Sequence, residues 1–329
     1  MSRRGWLLFL AMGVIWGIPY LLIKVAIEDL SPASLVFARS ALATLLLVPL
    51  AAARGMLRAL LPAWKPMLLY TFVEICIPWV LLGKAEQQLS SSLTGLLVAA
   101  VPLVGAVLVT VTGDDSLGAR RVAGLLLGFA GVAALVGFDV GASNAGAVVA
   151  VGGVAICYAL GPMILSRSLA DLPSLGVVAG SLAITAIFYT PFGLASWPAR
   201  APDRETWMAV AALAVICTAV AFIVFFELIA EVGPARSTVI TYLNPAVALV
   251  LGALILDEQI TFTTGVGFAL ILLGSVLATS RDRVREPERE PAAVASGSPR
   301  APAGAAGTDG RHGGEPTAGD VAACPVPEP

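Results

Sequence analysis

Four ionisable side chains stand inside stretches that are otherwise apolar: Lys24, Arg39, Glu74 and Glu227. In the hydrocarbon of a bilayer such a group costs roughly several kcal/mol unless it is paired or hydrated, so each is a candidate for function. Glu74 is flanked by Phe72, Val73, Ile77 and Pro78, near the middle of its stretch. A carboxyl group at that depth must face a cavity or a cation. It could load and release a proton as access alternates between the two sides, or form a static pair with Arg39 or Lys24 that fixes helix packing. Arg39 and Lys24 fall toward one membrane face, where positive charge could attract an anionic or carboxylate-bearing substrate. Lys24 could instead snorkel to the interface, and Arg39 could meet a carboxylate within the bundle. Glu227 lies within about a turn of a boundary, which favours the interface, and Lys84, at the matching position of the first half, lies near the opposite boundary.

Around these charges, Trp16, Tyr20, Trp79, Tyr158, Tyr242 and Asn244 offer ring faces and hydrogen bonds that could line a cavity. Aromatic residues near helix ends could equally anchor at the interface; Trp16 and Asn244, nearer helix centres, are preferred as liners. Pro19, Pro78, Pro102, Pro162 and Pro245 free backbone carbonyls that neighbours, water or a ligand must satisfy. Membrane helices tolerate single prolines, but Pro102 and Pro245 are paired by the repeat described below and are the candidates for gating. Gly124, Gly128, Gly131, Gly267 and Gly274, spaced at three, four or seven, fit close helix contacts, within the chain or in a homodimer.

No constellation for catalysis accompanies them. Cys76, Cys157 and Cys217 are isolated in apolar stretches and Cys324 lies near the C-terminus, so neither a metal nor a cofactor is expected. The sole histidine is His312, in a tail rich in Pro, Gly and Ala. A membrane-embedded enzyme would need a nucleophile and base, paired intramembrane acids or metal ligands. That class, and a non-transporting scaffold or sensor, remain the alternatives to transport.

The elements that must position these residues follow from composition. Of 329 residues, 58% are hydrophobic and only 13% charged, against about 25% charged in a soluble domain. With a mean hydropathy of +0.89, the solvent is the lipid bilayer, and about 20 apolar residues make one spanning helix. Apolar runs predict helices at 5–26, 33–53, 66–84, 91–111 and 121–138, then at 147–166, 174–194, 207–230, 237–256 and 264–280. Arg3 and Arg4 before the first run are read as the flank of an uncleaved helix. A net charge of −2 without a Lys/Arg cluster argues against nucleic acid.

Positive residues are retained on the cytoplasmic side. An arrangement with the N-terminus inside collects Arg3, Arg4, Arg54, Arg58, Lys65, Arg120, Arg121, Arg167, Arg236, Arg281, Arg283 and Arg285 there, leaving Lys84, Arg200 and Arg204 outside. Both termini are therefore expected in the cytoplasm, with 281–329 a disordered tail.

The chain repeats itself. A shift of 143 places Pro102 on Pro245, Asp114 on Asp257, Asp115 on Glu258, Gly124 on Gly267 and Gly131 on Gly274; a shift of 142 places Trp16 on Tyr158, Asp29 on Asp171 and Leu30 on Leu172. Units of five helices, 1–142 and 143–280, must enter the membrane from opposite sides, giving an all-α inverted repeat of ten spans. Such proteins commonly hold a substrate near the midplane between the copies; gene duplication alone would leave the fold expectation intact.

Trp16-Gly17 with Lys24 following, Phe37-Ala38-Arg39, Glu86-Gln87-Gln88 and Ser90-Ser91-Ser92 leading into Pro102 come in that order in the first half. Gly233-Pro234-Ala235-Arg236, Thr241-Tyr242-Leu243-Asn244-Pro245 and Leu256-Asp257-Glu258 repeat the plan in the second. Together they resemble the EamA-like branch of the drug/metabolite transporter superfamily, from roughly Trp6 to Ser280. The resemblance implies a ten-helix transporter in a cell membrane, expected to be a bacterial inner membrane. It would move small polar metabolites, amino-acid derivatives or toxic compounds, often outward, through a central cavity. Glu74 and Glu227 depart from the family pattern, which does not demand an acid at either position.

Overall fold

A computed structural model describes residues 2–111, 118–137, 144–233 and 237–279. The Asp114 and Asp115 pair, the Pro234-Ala235-Arg236 segment, and the tail 281–329 with His312 and Cys324 lie outside the described residues. The rest is helical, with no strand among the described residues. The segments are α1 (Arg3–Ala26), α2 (Pro32–Ala53), α3 (Arg58–Glu86), α4 (Ser91–Val111), α5 (Ala119–Leu135), α6 (Ala145–Ser168), α7 (Ser174–Ala195), α8 (Arg204–Val232), α9 (Val239–Ile255) and α10 (Phe262–Thr279). Eight of them are long and apolar enough to cross a membrane; α5 and α9 are shorter.

Helix starts follow side-chain chemistry. Ser2, Ser31 and Ser90 each accept from the backbone N–H three residues on, at 2.9, 3.0 and 3.2 Å, satisfying donors that helix N-termini leave free. Pro32 follows Ser31 at a position where a missing N–H is harmless. The same tolerance explains Pro102 and Pro245. Each is the second residue of a fresh helical run, Val101–Val111 after a turn at 99–100, and Asn244–Ile255 after a 3-10 turn.

Wider, π-type turns occupy Phe72–Cys76 in α3 and Val215–Val220 in α8. Their starts are 143 residues apart, the offset of the sequence repeat. In α3 the turn precedes Pro78, which cannot donate back to the Glu74 carbonyl; Tyr189 Oη instead donates to the nearby Cys76 carbonyl at 2.9 Å. In α8 the Thr218 hydroxyl donates to the Leu213 carbonyl at 2.8 Å. Turns of this kind recur at functional positions.

The helices pack across the two halves in matched pairs: α1 against α8 and α3 against α6, α1 against α9 and α4 against α6, with α2 on α7, α4 on α9 and α5 on α10. The last pair meets backbone to backbone. A Cβ built at Gly124 would lie 2.8 Å from the Gly274 carbonyl, and one at Gly131 would lie 2.7 Å from the Gly267 carbonyl. The glycine face read from the sequence is thus occupied within the chain. Apolar clusters fill the seams, with Met12, Leu96, Leu182, Leu213 and Ile271 fully enclosed. Large apolar side chains also point outward, Ile187 at 74% and Leu254 at 76% exposure, a surface that suits lipid tails and not water.

Candidate functional site

At the centre, α2, α3, α6 and α8 bring polar side chains together. Arg39 on α2 is buried, at 7% exposure. Its Nε and Nη2 donate to Thr218 Oγ1 at 3.2 and 3.1 Å, and its guanidinium carbon lies 3.7 Å from the centroid of the Trp79 ring. The α8 π turn makes this contact possible, because it carries Thr218 toward α2 while the threonine's own proton goes to Leu213. Beside Trp79 stands Tyr158 on α6.

Glu74 comes from the α3 π turn and reaches toward the same tyrosine. Tyr70, Cys157 and Tyr158 lie within its electrostatic range. Its Oε2 is sealed from solvent and has no hydrogen-bond partner. The carboxyl packs on Gly161 of α6, where an added Cβ would collide with Oε2 and lie 2.8 Å from the carboxyl carbon. Glycine at 161 is therefore a condition of Glu74's placement.

Glu74 and Arg39 do not pair with each other. Among the described residues the ion pairs within 4.0 Å are Arg4 with Glu227, at 2.5 Å, and Arg4 with Glu231, at 3.8 Å. Glu227 thus meets an exposed cation, and the static pair considered for Glu74 is not formed with Arg39 or Lys24. Two opposite charge-bearing groups share the bundle centre, each without a counter-ion. A guanidinium so placed can take a carboxylate in its fork, and an unpartnered carboxyl can exchange a proton.

The other sequence candidates spread outward. Tyr20 is buried with Leu82, Val154 and Ala248 and packs near Tyr158. Lys24 stands at the end of α1, where Nζ donates to the carbonyls of Glu86, at 2.5 Å, and Leu89, at 2.8 Å; it does not approach Arg39 or Glu74. Lys84 is exposed. Trp16 packs between α1 and α8, with ring centroids 6.1 Å from Phe222 and 4.8 Å from Phe225. In the amide orientation that satisfies both groups, Asn244 donates to Ile240 O at 3.0 Å and Gly13 O at 3.2 Å, tying α9 to α1. Tyr242 lies at the Arg4 end, its hydroxyl 3.1 Å from Thr279 Oγ1.

Sequence reasoning missed Thr218, Glu86 and Glu258. Thr218 was legible as a hydroxyl in an apolar stretch; the 143 offset puts it opposite Ile75, next to Glu74. Glu86 and Glu258 were read as parts of motifs. Glu258 accepts from the N–H groups of Ser91 at 2.7 Å and Ser92 at 2.9 Å, a carboxylate set on the positive end of α4. The left-handed Asp257, with φ of 52°, aims it there by turning the Glu258 N–H back to Gly252 O at 3.1 Å.

A search against family models matches the EamA-like transporter family twice, over residues 3–137 and 145–280. The chain is 25% identical over 289 residues to a Bacillus subtilis (strain 168) protein called the uncharacterized transporter YvbV, covering 87% of this chain and 94% of that one. It is 27% identical over 278 residues to the uncharacterized inner membrane transporter YedA of Escherichia coli (strain K12), covering 82% and 88%. A solved crystal structure superposes with a TM-score of 0.61 at 21% identity, covering 85% of this chain and 97% of the other, which shows a shared fold.

Proposed function

This chain belongs to the EamA-like transporter family, and we propose that it is a secondary transporter that exports a small polar, carboxylate-bearing metabolite or drug-like compound by alternating access. The observation that carries this reading is the pair of uncompensated groups at the bundle centre, Arg39 and Glu74, meeting around Tyr158 and Trp79. Arg39 takes the anionic group of the substrate. Glu74 takes a proton whose movement drives the cycle.

The frame for this is ten spans in two inverted units, 1–142 and 143–280, in a bacterial inner membrane with both termini in the cytoplasm. The matched helix pairs across the halves and the π turns at the repeat offset support it, as does the double family match. In this frame the Lys24 end faces outward and the Arg4 end faces the cytoplasm.

Metabolite profiling of a deletion and overexpression pair identifies the substrate. In proteoliposomes, Glu74→Gln should then abolish flux driven by a pH gradient while substrate binding is retained. Unchanged driven flux removes Glu74 as the proton site.

A further inference from the structure

The Lys24 end contains a second carboxyl that the transport reading leaves unused. Glu86, the last residue of α3, has no exposed surface, and neither of its carboxyl oxygens has a hydrogen-bond partner. The nearest charges are Lys24 on α1 and Glu258 after α9, and Tyr20 on α1 lies within electrostatic range as well. From α6, Tyr158 lies beyond Tyr20. The charge on α2, Arg39, sits against Trp79, about two helical turns from Glu86, and Lys84 on α3 is exposed.

The hydrogen bonds of these neighbours are committed elsewhere. Lys24 spends Nζ on the two carbonyls that bracket the α3–α4 turn, those of Glu86 and Leu89. Glu258 has both carboxylate oxygens on the N-terminus of α4. Two carboxyls thus share one ammonium. Were both ionised, the site would bury a negative charge with neither a donor nor a counter-ion, which the desolvation of a carboxylate disfavours. With one proton on Glu86 the set is neutral: Lys24 positive, Glu258 negative, Glu86 uncharged. Beside it, a depression of ≈ 270 Å³ lined by Lys24, Ile27, Glu28, Glu86 and Gln87 opens to the surface; Glu28 there is exposed and solvated, whereas Glu86, with no exposed surface, lies next to water without meeting it.

We propose that Glu86 is a protonation site distinct from Glu74, holding its proton while the α3–α4 turn is seated on Lys24 and releasing it to water at the Lys24 end when that turn lifts. On opening, the Glu86 O–H bond breaks and the proton passes to a water molecule; on closing, hydronium returns it. Loading then favours the closed seal, because only the neutral carboxyl fits the dry site. The proposal deepens the transport reading, since it assigns a proton to the seal at one end of the path, but its test does not depend on flux.

The test is infrared difference spectroscopy on the full-length protein in lipid films, recorded across a pH titration and in H₂O against D₂O. Wild type should show a protonated-carboxyl C=O band that Glu86→Gln removes and Glu74→Gln leaves in place. A Glu86→Gln spectrum that keeps every carboxyl band overturns the proposal. Thermal unfolding guards against a folding artefact, because Gln has the shape of the protonated acid: Glu86→Gln should unfold within a few degrees of wild type at neutral pH. A large loss of stability would mean an ionised Glu86 held by its surroundings, which also overturns it. If Glu74→Gln leaves driven flux unchanged while the Glu86 band persists, the Glu74 assignment fails and this one stands.

Discussion

Gly161→Ala tests whether the Glu74 carboxyl lies where the structure puts it. The new methyl would fall on Glu74 Oε2 and lie 2.8 Å from the carboxyl carbon and 3.3 Å from the Glu74 Cβ. Oε2 and the carboxyl carbon are the far end of a flexible side chain, so the carboxyl must turn out of its place, and the approach to the Cβ asks the α3–α6 contact for a further few tenths of an ångström. Overpacking of this kind costs about 1–3 kcal/mol. In a Glu74→Ala background the carboxyl is gone and only the 3.3 Å contact with the Cβ remains, so the same substitution should change stability by less than about 0.5 kcal/mol. The assay is a double-mutant cycle by equilibrium unfolding in mixed micelles, with the four proteins in one lipid and detergent composition. An interaction energy of about 1–2 kcal/mol is expected. Equal costs of Gly161→Ala in both backgrounds would refute the placement of Glu74 on α6, and with it the approach of that carboxyl to Tyr158.

Two further outcomes follow from contacts away from the centre. Asp29 accepts from the Asp203 N–H at 2.8 Å and the Thr206 hydroxyl at 2.7 Å, and these bonds, the backbone one first, hold its carboxyl below the ordinary value. A depressed value means stability that is complete above the unfolded carboxylate range and lost as pH falls through the folded value. Asp29→Asn should therefore lower the melting temperature at neutral pH, and the gap should close on acidification below about pH 4; a gap that persists in acid refutes the linkage. Gly274→Leu should separate α5 from α10, since its Cβ already falls 2.6 Å from the Gly124 carbonyl and 2.5 Å from the Gly128 Cα. A loss above the roughly 1–3 kcal/mol of ordinary overpacking is expected, read as failure to purify as a monodisperse species; an unchanged melting temperature would count against the contact.

The helices were legible because lipid leaves the backbone one economical solution, and runs such as 33–53 and 174–194 announce it without help from tertiary context. The third helix shows where that reading stops. Its apolar core at 66–84 is visible, but the Arg58–Ala63 turn that leads into it depends on packing against α7. The centre was legible in part: Arg39, Glu74, Trp79 and Tyr158 stand out because charge and large rings are rare at depth. What holds Arg39 was not, since Thr218 looks ordinary in sequence and acquires its role from a helical turn that no periodicity encodes. Lys24 illustrates the converse. Its charge suggests a substrate ligand, yet the structure commits Nζ to backbone carbonyls across the α3–α4 turn, a contact between segments more than sixty residues apart.

The widened turns at Phe72–Cys76 and Val215–Val220 have a consequence for how relatives are aligned. A π turn is a helix carrying one residue more than its rise requires, so that residue can be lost without moving either flank out of register. A one-residue gap in a relative at these positions therefore need not mean a broken span or a misplaced boundary. It marks a helix that closed into regular geometry while Trp79 and Phe222, downstream of each turn, kept the same neighbours. Gaps elsewhere in α3 or α8 would rotate everything beyond them by about 100°, so the two kinds of gap carry opposite meanings for whether the centre is retained.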